Sequence, residues 1–133
     1  MLKTKDIMTR ENIISVKEYT PIFEAVELIV KHDISGLPVV DDDMTLIGIV
    51  SEKDLLRLFP DRENAENKTV SDFMTQPAIH FDDDESLVYL YDFLMRNIFR
   101  RVPITSKGKL VGIISVRDAL KYILQLKGEL ATK

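Results

Sequence analysis

Apolar and polar positions along this chain fall into short runs, and the runs come in two sets. Ile22, Val26, Ile29 and Val30 share one helical stripe, and Leu87, Leu90, Leu94 and Ile98 share another. These stripes predict helices over Pro21–His32 and Leu87–Ile98. A short strand-like run precedes each, Ile13–Val16 and Ile79–Phe81. Two more follow each, Leu37–Val40 with Leu46–Ser51, and Val102–Thr105 with Leu110–Ser115. Closing helices are expected over Glu52–Phe59 and Val116–Lys127. Thr20 before Pro21 reads as a helix start with Pro at the first helical position, and Ser86 starts the later helix. Asp42–Thr45 and Ser106–Lys109 are tight turns, and Gly108 suits a positive φ. Pro60–Lys68 is polar and reads as a linker.

The two sets are copies of one pattern. Asp6-Ile7-Met8-Thr9 is matched by Asp72-Phe73-Met74-Thr75, and Leu37-Pro38-Val39-Val40 by Val102-Pro103-Ile104-Thr105. Gly48 stands six residues before Asp54, and Gly112 six before Asp118, in Gly-Ile-x-Ser-x-x-Asp both times. The predicted fold is mixed α+β, or α/β, with two strand–helix–strand–strand–helix repeats related by a pseudo-twofold axis. The repeats span 1–59 and 69–127, with a linker over 60–68 and a tail over 128–133. A unit of about 55 residues buries too little surface to be secure alone. One continuous core is therefore expected, with the sheets packed together and the helices outside.

Composition narrows the function classes. The chain has 133 residues and a net charge of −4, with no basic excess to neutralise nucleic-acid phosphates. It has no cysteine, so disulfides and thiolate chemistry are excluded. Its two histidines, His32 and His80, are too few for a multi-His metal site. No apolar run approaches the ~18 residues of a membrane span, which makes a cytoplasmic protein the expectation. No nucleophile–base pair, metal cluster or Gly-rich phosphate loop stands out, so no enzyme is expected. Asp41-Asp42-Asp43 and Asp82-Asp83-Asp84-Glu85 lack the Gly spacing of a calcium loop and read as solvated turns, although metal sensing would rest on them.

Ser51-x-x-Asp54 and Ser115-x-x-Asp118 each precede a helical run, as a capping box does. The same carboxylate, in a first helical turn, is suited to accept ribose hydroxyls. Taken with the duplicated Asp-x-Met-Thr, the prolines Pro38 and Pro103 and the Gly-Ile-x-Ser-x-x-Asp motifs, the chain resembles a tandem pair of cystathionine β-synthase (CBS) domains, a Bateman module.

The resemblance implies a regulatory module that binds an adenosine-containing nucleotide in clefts built from both repeats. AMP, ADP and ATP are the implied ligands, ahead of S-adenosylmethionine and NAD, and no cofactor is required. Mapped by motif, one cleft takes Ser51, Asp54, Thr75, His80, Phe99, Arg100 and Arg101. The other takes Thr9, Ile14, Ile34, Ser35, Ser115 and Asp118. The two guanidiniums of the first suit a phosphate; as alternatives, they form a solvated pair, and His80 is a packed histidine. The second departs from the basic pattern and suits a less charged ligand or none. With no effector domain in view, the output would pass to a separate protein.

Eight of the nine residues in Leu87–Met95 are apolar or tyrosine, interrupted by Asp92. Val88, Tyr91 and Met95 are candidates for an exposed apolar face, which suggests a homodimer packed through helices, as CBS pairs commonly form. The second functional reading is therefore a homodimeric scaffold with vestigial ligand clefts.

Overall fold

A computed structural model describes residues 2–131. Among the described residues there are four α-helices and five β-strands: α1 (Ile22–His32), β1 (Gly36–Val40), β2 (Leu46–Ser51), α2 (Glu52–Leu56), β3 (Phe81–Asp82), α3 (Leu87–Arg96), β4 (Arg101–Ser106), β5 (Lys109–Ser115) and α4 (Val116–Ala131). Short 3-10 turns occupy Thr4–Asp6, Phe59–Asn64 and Val70–Asp72. The fold is mixed α+β with small sheets, in the order the apolar runs predicted.

The chain divides into two compact units, and the division does not follow the repeats. One unit holds Ile14–Ile79 with Gly108–Leu110. The other holds the chain up to Ile13, His80–Lys107 and the chain from Val111 onward. They are called here the Asp54 unit and the Asp118 unit. Each takes the Asp-x-Met-Thr segment of the opposite repeat.

In the Asp54 unit, β1 and β2 form an antiparallel hairpin in which Leu37 faces Val50 and Val39 faces Gly48. Val16 pairs in parallel with Val39 on the outer edge of β1. Thr75 pairs with Ile49 on the outer edge of β2. The buried side chains include Ile22, Ala25 and Ile29 from α1, Leu37 and Val39 from β1, and Val70 from the opposite repeat. The Asp118 unit repeats this plan. Phe81 of β3 pairs in parallel with Ile104 of β4, and Thr9 pairs with Ile113 of β5. Met8, Leu87, Leu90, Val102, Ile104 and Ile114 form its core. Each unit thus has its own cluster of buried side chains.

Several boundaries differ from the sequence reading. Pro21, not Thr20, caps α1, because the Thr20 hydroxyl is occupied accepting the Lys17 N–H at 3.0 Å. The first strands shrink to a bridge at Val16 and to Phe81–Asp82. α2 ends at Leu56 instead of Phe59, because the Arg57 and Leu58 N–H groups donate three residues back, to the Asp54 and Leu55 carbonyls, and tighten the last turn. The supposed linker is tied down: Phe59–Asn64 forms a 3-10 turn, Ala65 is buried, and the Lys68 carbonyl accepts the Ile22 N–H at 3.0 Å. α3 stops at Arg96, short of Ile98, where Asn97 turns extended and its side-chain amide donates to the Phe93 carbonyl at 3.0 Å. α4 runs through Gly128 to Ala131, so the expected tail is helical that far. Thr132 and Lys133 lie outside the described residues.

Candidate functional site

Both Ser-x-x-Asp segments stand at a strand-to-helix junction. Ser51 is extended, with φ −103° and ψ 164°, and its Oγ accepts the Asp54 N–H at 3.1 Å. Asp54 Oδ2 accepts the Ser51 N–H at 2.8 Å and the Ser51 hydroxyl at 2.9 Å. At α4, Ser115 N–H donates to Asp118 Oδ2 at 2.9 Å and Asp118 N–H donates to Ser115 Oγ at 3.1 Å. Each is a reciprocal capping box, with a carboxylate at the positive end of the helix dipole. Capping engages Oδ2 and fixes the rotamer. Oδ1 takes no part in the box, and such a carboxylate is suited to accept hydroxyl donors.

The motif glycines bring the threonines of the opposite repeat close. Thr75 N–H donates to the Ile49 carbonyl at 2.8 Å, and Ile49 N–H donates back at 3.1 Å. Thr9 and Ile113 exchange the same pair at 2.8 and 2.9 Å. A Cβ on Gly48 would lie 2.9 Å from the Thr75 carbonyl oxygen, and one on Gly112 3.0 Å from that of Thr9. No side chain larger than hydrogen fits there without movement. The Thr9 hydroxyl lies 3.5 Å from both oxygens of Asp118.

The remaining sequence candidates distribute between the units. In the Asp54 unit, the Ser35 carbonyl accepts the Glu52 N–H of α2 at 2.9 Å, Ile34 is buried and Ile14 packs against the core. In the Asp118 unit, the Arg100 carbonyl accepts the Val116 N–H of α4 at 2.9 Å. Phe99 stacks on Phe93 with centroids 6.0 Å apart, and Phe93 meets Phe81 edge-on at 5.5 Å. Arg100, Arg101 and His80 are exposed. Within single units, then, the structure assembles Ser51, Asp54, Thr75 and Ser35, and separately Ser115, Asp118 and Thr9.

Arg57 was not singled out from sequence. Its guanidinium donates to the Phe73 carbonyl at 2.9 Å and lies 3.8 Å from Asp54 Oδ1. Its spacing three residues after Asp54, on one helical face, was the available signal. Of the exposed face expected on α3, Val88 and Met95 are exposed, whereas Tyr91 is half-buried with its hydroxyl enclosed. Burial raises the Tyr91 phenol above its ordinary pKa, and the nearby Tyr122 adds to this. No helix among the described residues is long and apolar enough to cross a membrane, and no group of three or more metal-ligating side chains occurs among them.

Comparison with known proteins agrees with this geometry. The CBS domain model matches residues 5–61 and 70–125. The solved structure of CBSX2 in complex with AMP superposes with a TM-score of 0.84 at 35% identity, covering 96% of this chain and 99% of that one. The chloroplastic CBSX2 of Arabidopsis thaliana is 33% identical over 93% of this chain and 64% of its own length. An uncharacterized protein of Methanocaldococcus jannaschii is 36% identical over 90% of this chain and 42% of its own. This chain thus spans roughly two fifths to two thirds of these curated relatives. The CBS domain pair of protein MJ0100, solved with 5′-methylthioadenosine and S-adenosyl-L-methionine, superposes with a TM-score of 0.74 at 25% identity, covering 92% of this chain and 96% of that one. Matched twice along its length, with capped Ser-x-x-Asp junctions in both copies, the chain belongs to the CBS domain family as a tandem pair.

Proposed function

We propose that this chain is a regulatory module that binds an adenosine-containing nucleotide and passes the resulting change in packing to a separate effector protein. The observation that carries the reading is that each unit holds a capped aspartate together with a threonine of the opposite repeat, paired through its backbone to the strand that precedes that aspartate. Such a site draws on both repeats, so a ligand held there acts on segments distant in sequence. CBSX2 with AMP and MJ0100 with adenosine derivatives support the ligand class. In this reading Asp54 and Asp118 accept the ribose hydroxyls. At Asp54 the partners are Ser51 and Thr75, which lie in the same unit; Phe99, Arg100, Arg101 and His80, mapped to this site by motif, belong to the Asp118 unit and are not assigned to it. At Asp118 the partners are Ser115 and Thr9 of the same unit; Ile14, Ile34 and Ser35, mapped to this site by motif, belong to the Asp54 unit. Regulation requires that the ligand favour one of two packings. No catalytic step is assigned.

A thermal-shift screen with AMP, ADP, ATP, S-adenosylmethionine and NAD tests the reading. AMP or ATP is expected to raise the Tm of the wild type, and Asp54→Ala to abolish that rise. No nucleotide-dependent shift in the wild type would overturn it.

A second reading, a homodimeric interaction module, is favoured by one feature. Val88 and Met95 of α3 are 64% and 85% exposed, and Leu120 and Leu124 of α4 are 57% and 69% exposed. Apolar side chains so placed on helices suit a second copy. Light scattering that returns a dimer unaffected by nucleotide, with no nucleotide bound, would favour this reading.

A further inference from the structure

We propose that Arg57 is the positioning residue of the Asp54 site, holding the ribose-accepting carboxylate in register with the Thr75 segment and so distinguishing this site from the one at Asp118. The proposal rests on the adenosine reading above.

Arg57 follows α2 and reaches two elements at once. Its Nε donates to the Asp54 carbonyl at 3.2 Å, its outer nitrogen donates to the Phe73 carbonyl at 2.9 Å, and the same nitrogen lies 3.8 Å from Asp54 Oδ1. The guanidinium sits over the Phe73 ring, 5.5 Å from its centroid. A planar, five-donor group makes all these contacts together; an ammonium cannot. Asp54 comes from one repeat and Phe73 from the other, two residues before Thr75. Arg57 therefore pins both halves of the site, with a positive charge on the oxygen the capping box does not use.

The second copy lacks this clamp by sequence. Ser115 and Asp118 match Ser51 and Asp54, but Lys121 stands where Arg57 does, and Ile7 stands where Phe73 does. A lysine offers no fork and an isoleucine no ring face. At Asp118 the carboxylate meets the Thr9 hydroxyl instead. Preorganising a ligand group lowers the ordering needed on binding, so the clamped site is the tighter one.

The test is calorimetric titration of AMP into the full chain carrying Arg57→Ala, Arg57→Lys, Asp54→Asn, the double variant Asp54→Asn/Arg57→Ala, and Lys121→Ala. Arg57→Ala is expected to weaken AMP binding about tenfold, the scale of one charge-assisted hydrogen bond. Arg57→Lys should not restore it, and Lys121→Ala should leave it unchanged. Because Arg57 acts through Asp54, its removal should add little once Asp54 is Asn. Full additivity in the double variant, or full rescue by Lys, overturns the proposal. In ligand-free protein, Arg57→Ala should also shift the amide resonances of Phe73, Met74 and Thr75, and unmoved amides overturn the clamp. If wild type binds no AMP, the adenosine reading fails, while the amide measurement still decides whether Arg57 holds the two segments.

Discussion

At the scale of single residues, the two motif glycines make the clearest prediction. A methyl group at position 48 would meet the Thr75 carbonyl at 2.9 Å, a backbone atom already committed to pairing. At position 112 the nearest atom is Met8 Sδ at 2.5 Å, the far end of a flexible side chain. Gly48→Ala and Gly112→Ala should each destabilise by about 1–3 kcal/mol, as overpacking does. Met8→Ala should relieve part of the second loss and none of the first, measured by urea unfolding. Asp41 carries a pH prediction. Its carboxylate lies below the ordinary 3.8, first because the Thr45 N–H donates to it and then because the Asp43 N–H and two lysines reinforce it, against an opposing contribution from burial. A lowered folded value means the stability is complete above the unfolded value and is lost as pH falls through the folded one. Asp41→Asn keeps the acceptor oxygen but does not titrate. Unfolding followed from about pH 7 to pH 2 should therefore be less acid-sensitive in Asp41→Asn than in wild type. Lys3 holds Asp84 low in the same direction, through a hydrogen bond at 2.6 Å.

At the scale of elements, the sequence is legible where local chemistry decides and opaque where partners distant in sequence decide. The capping boxes and both hairpins are local patterns and stand where expected; the α1 and α3 stripes hold at Ile22, Ile29, Leu87 and Leu90, whereas Val30 is exposed and Ile98 lies exposed beyond the end of α3. Helix ends were misplaced where a side chain took an unforeseen partner, as with Thr20 and Asn97. The first strands are shorter than their apolar runs because one bridge at Val16 and one two-residue ladder at Phe81–Asp82 make up their pairing. Of the candidate site, the Ser-x-x-Asp pairs and their threonines were readable as repeated motifs. Arg57 was not, because its meaning depends on Phe73 lying beside it. Ser86 tests the local part. Its Oγ accepts the Val88 N–H at 3.2 Å at the start of α3. Ser86→Ala should lower stability by about 1 kcal/mol, seen in chemical denaturation, without altering nucleotide affinity.

At the scale of the whole molecule, duplication here does not produce two independent repeats. The Asp54 unit needs Val70, fully buried, and Phe73 and Met74 packed against its core, all from the second repeat. The Asp118 unit needs Met8 and Ile7 from the first. A chain cut between residues 66 and 67 would leave each fragment without an edge strand partner and without part of its core. The large apolar side chains lost are each worth about 1.5–3 kcal/mol of burial, and domains hold only about 5–15 kcal/mol in total. Fragments 1–66 and 67–133, expressed separately, should therefore show no cooperative thermal transition by circular dichroism. Mixed in equal amounts, they should recover one, because the missing segments are then supplied in trans. A cooperative transition in either fragment alone would show that a repeat folds without its exchanged segment. Recovery on mixing also bears on regulation. If each site is completed only by exchange of segments, a ligand that tightens one site tightens the association of the two repeats. AMP at 100 times its dissociation constant should then stabilise the mixed fragments by up to about 2.7 kcal/mol, and Asp54→Ala in fragment 1–66 should remove that gain.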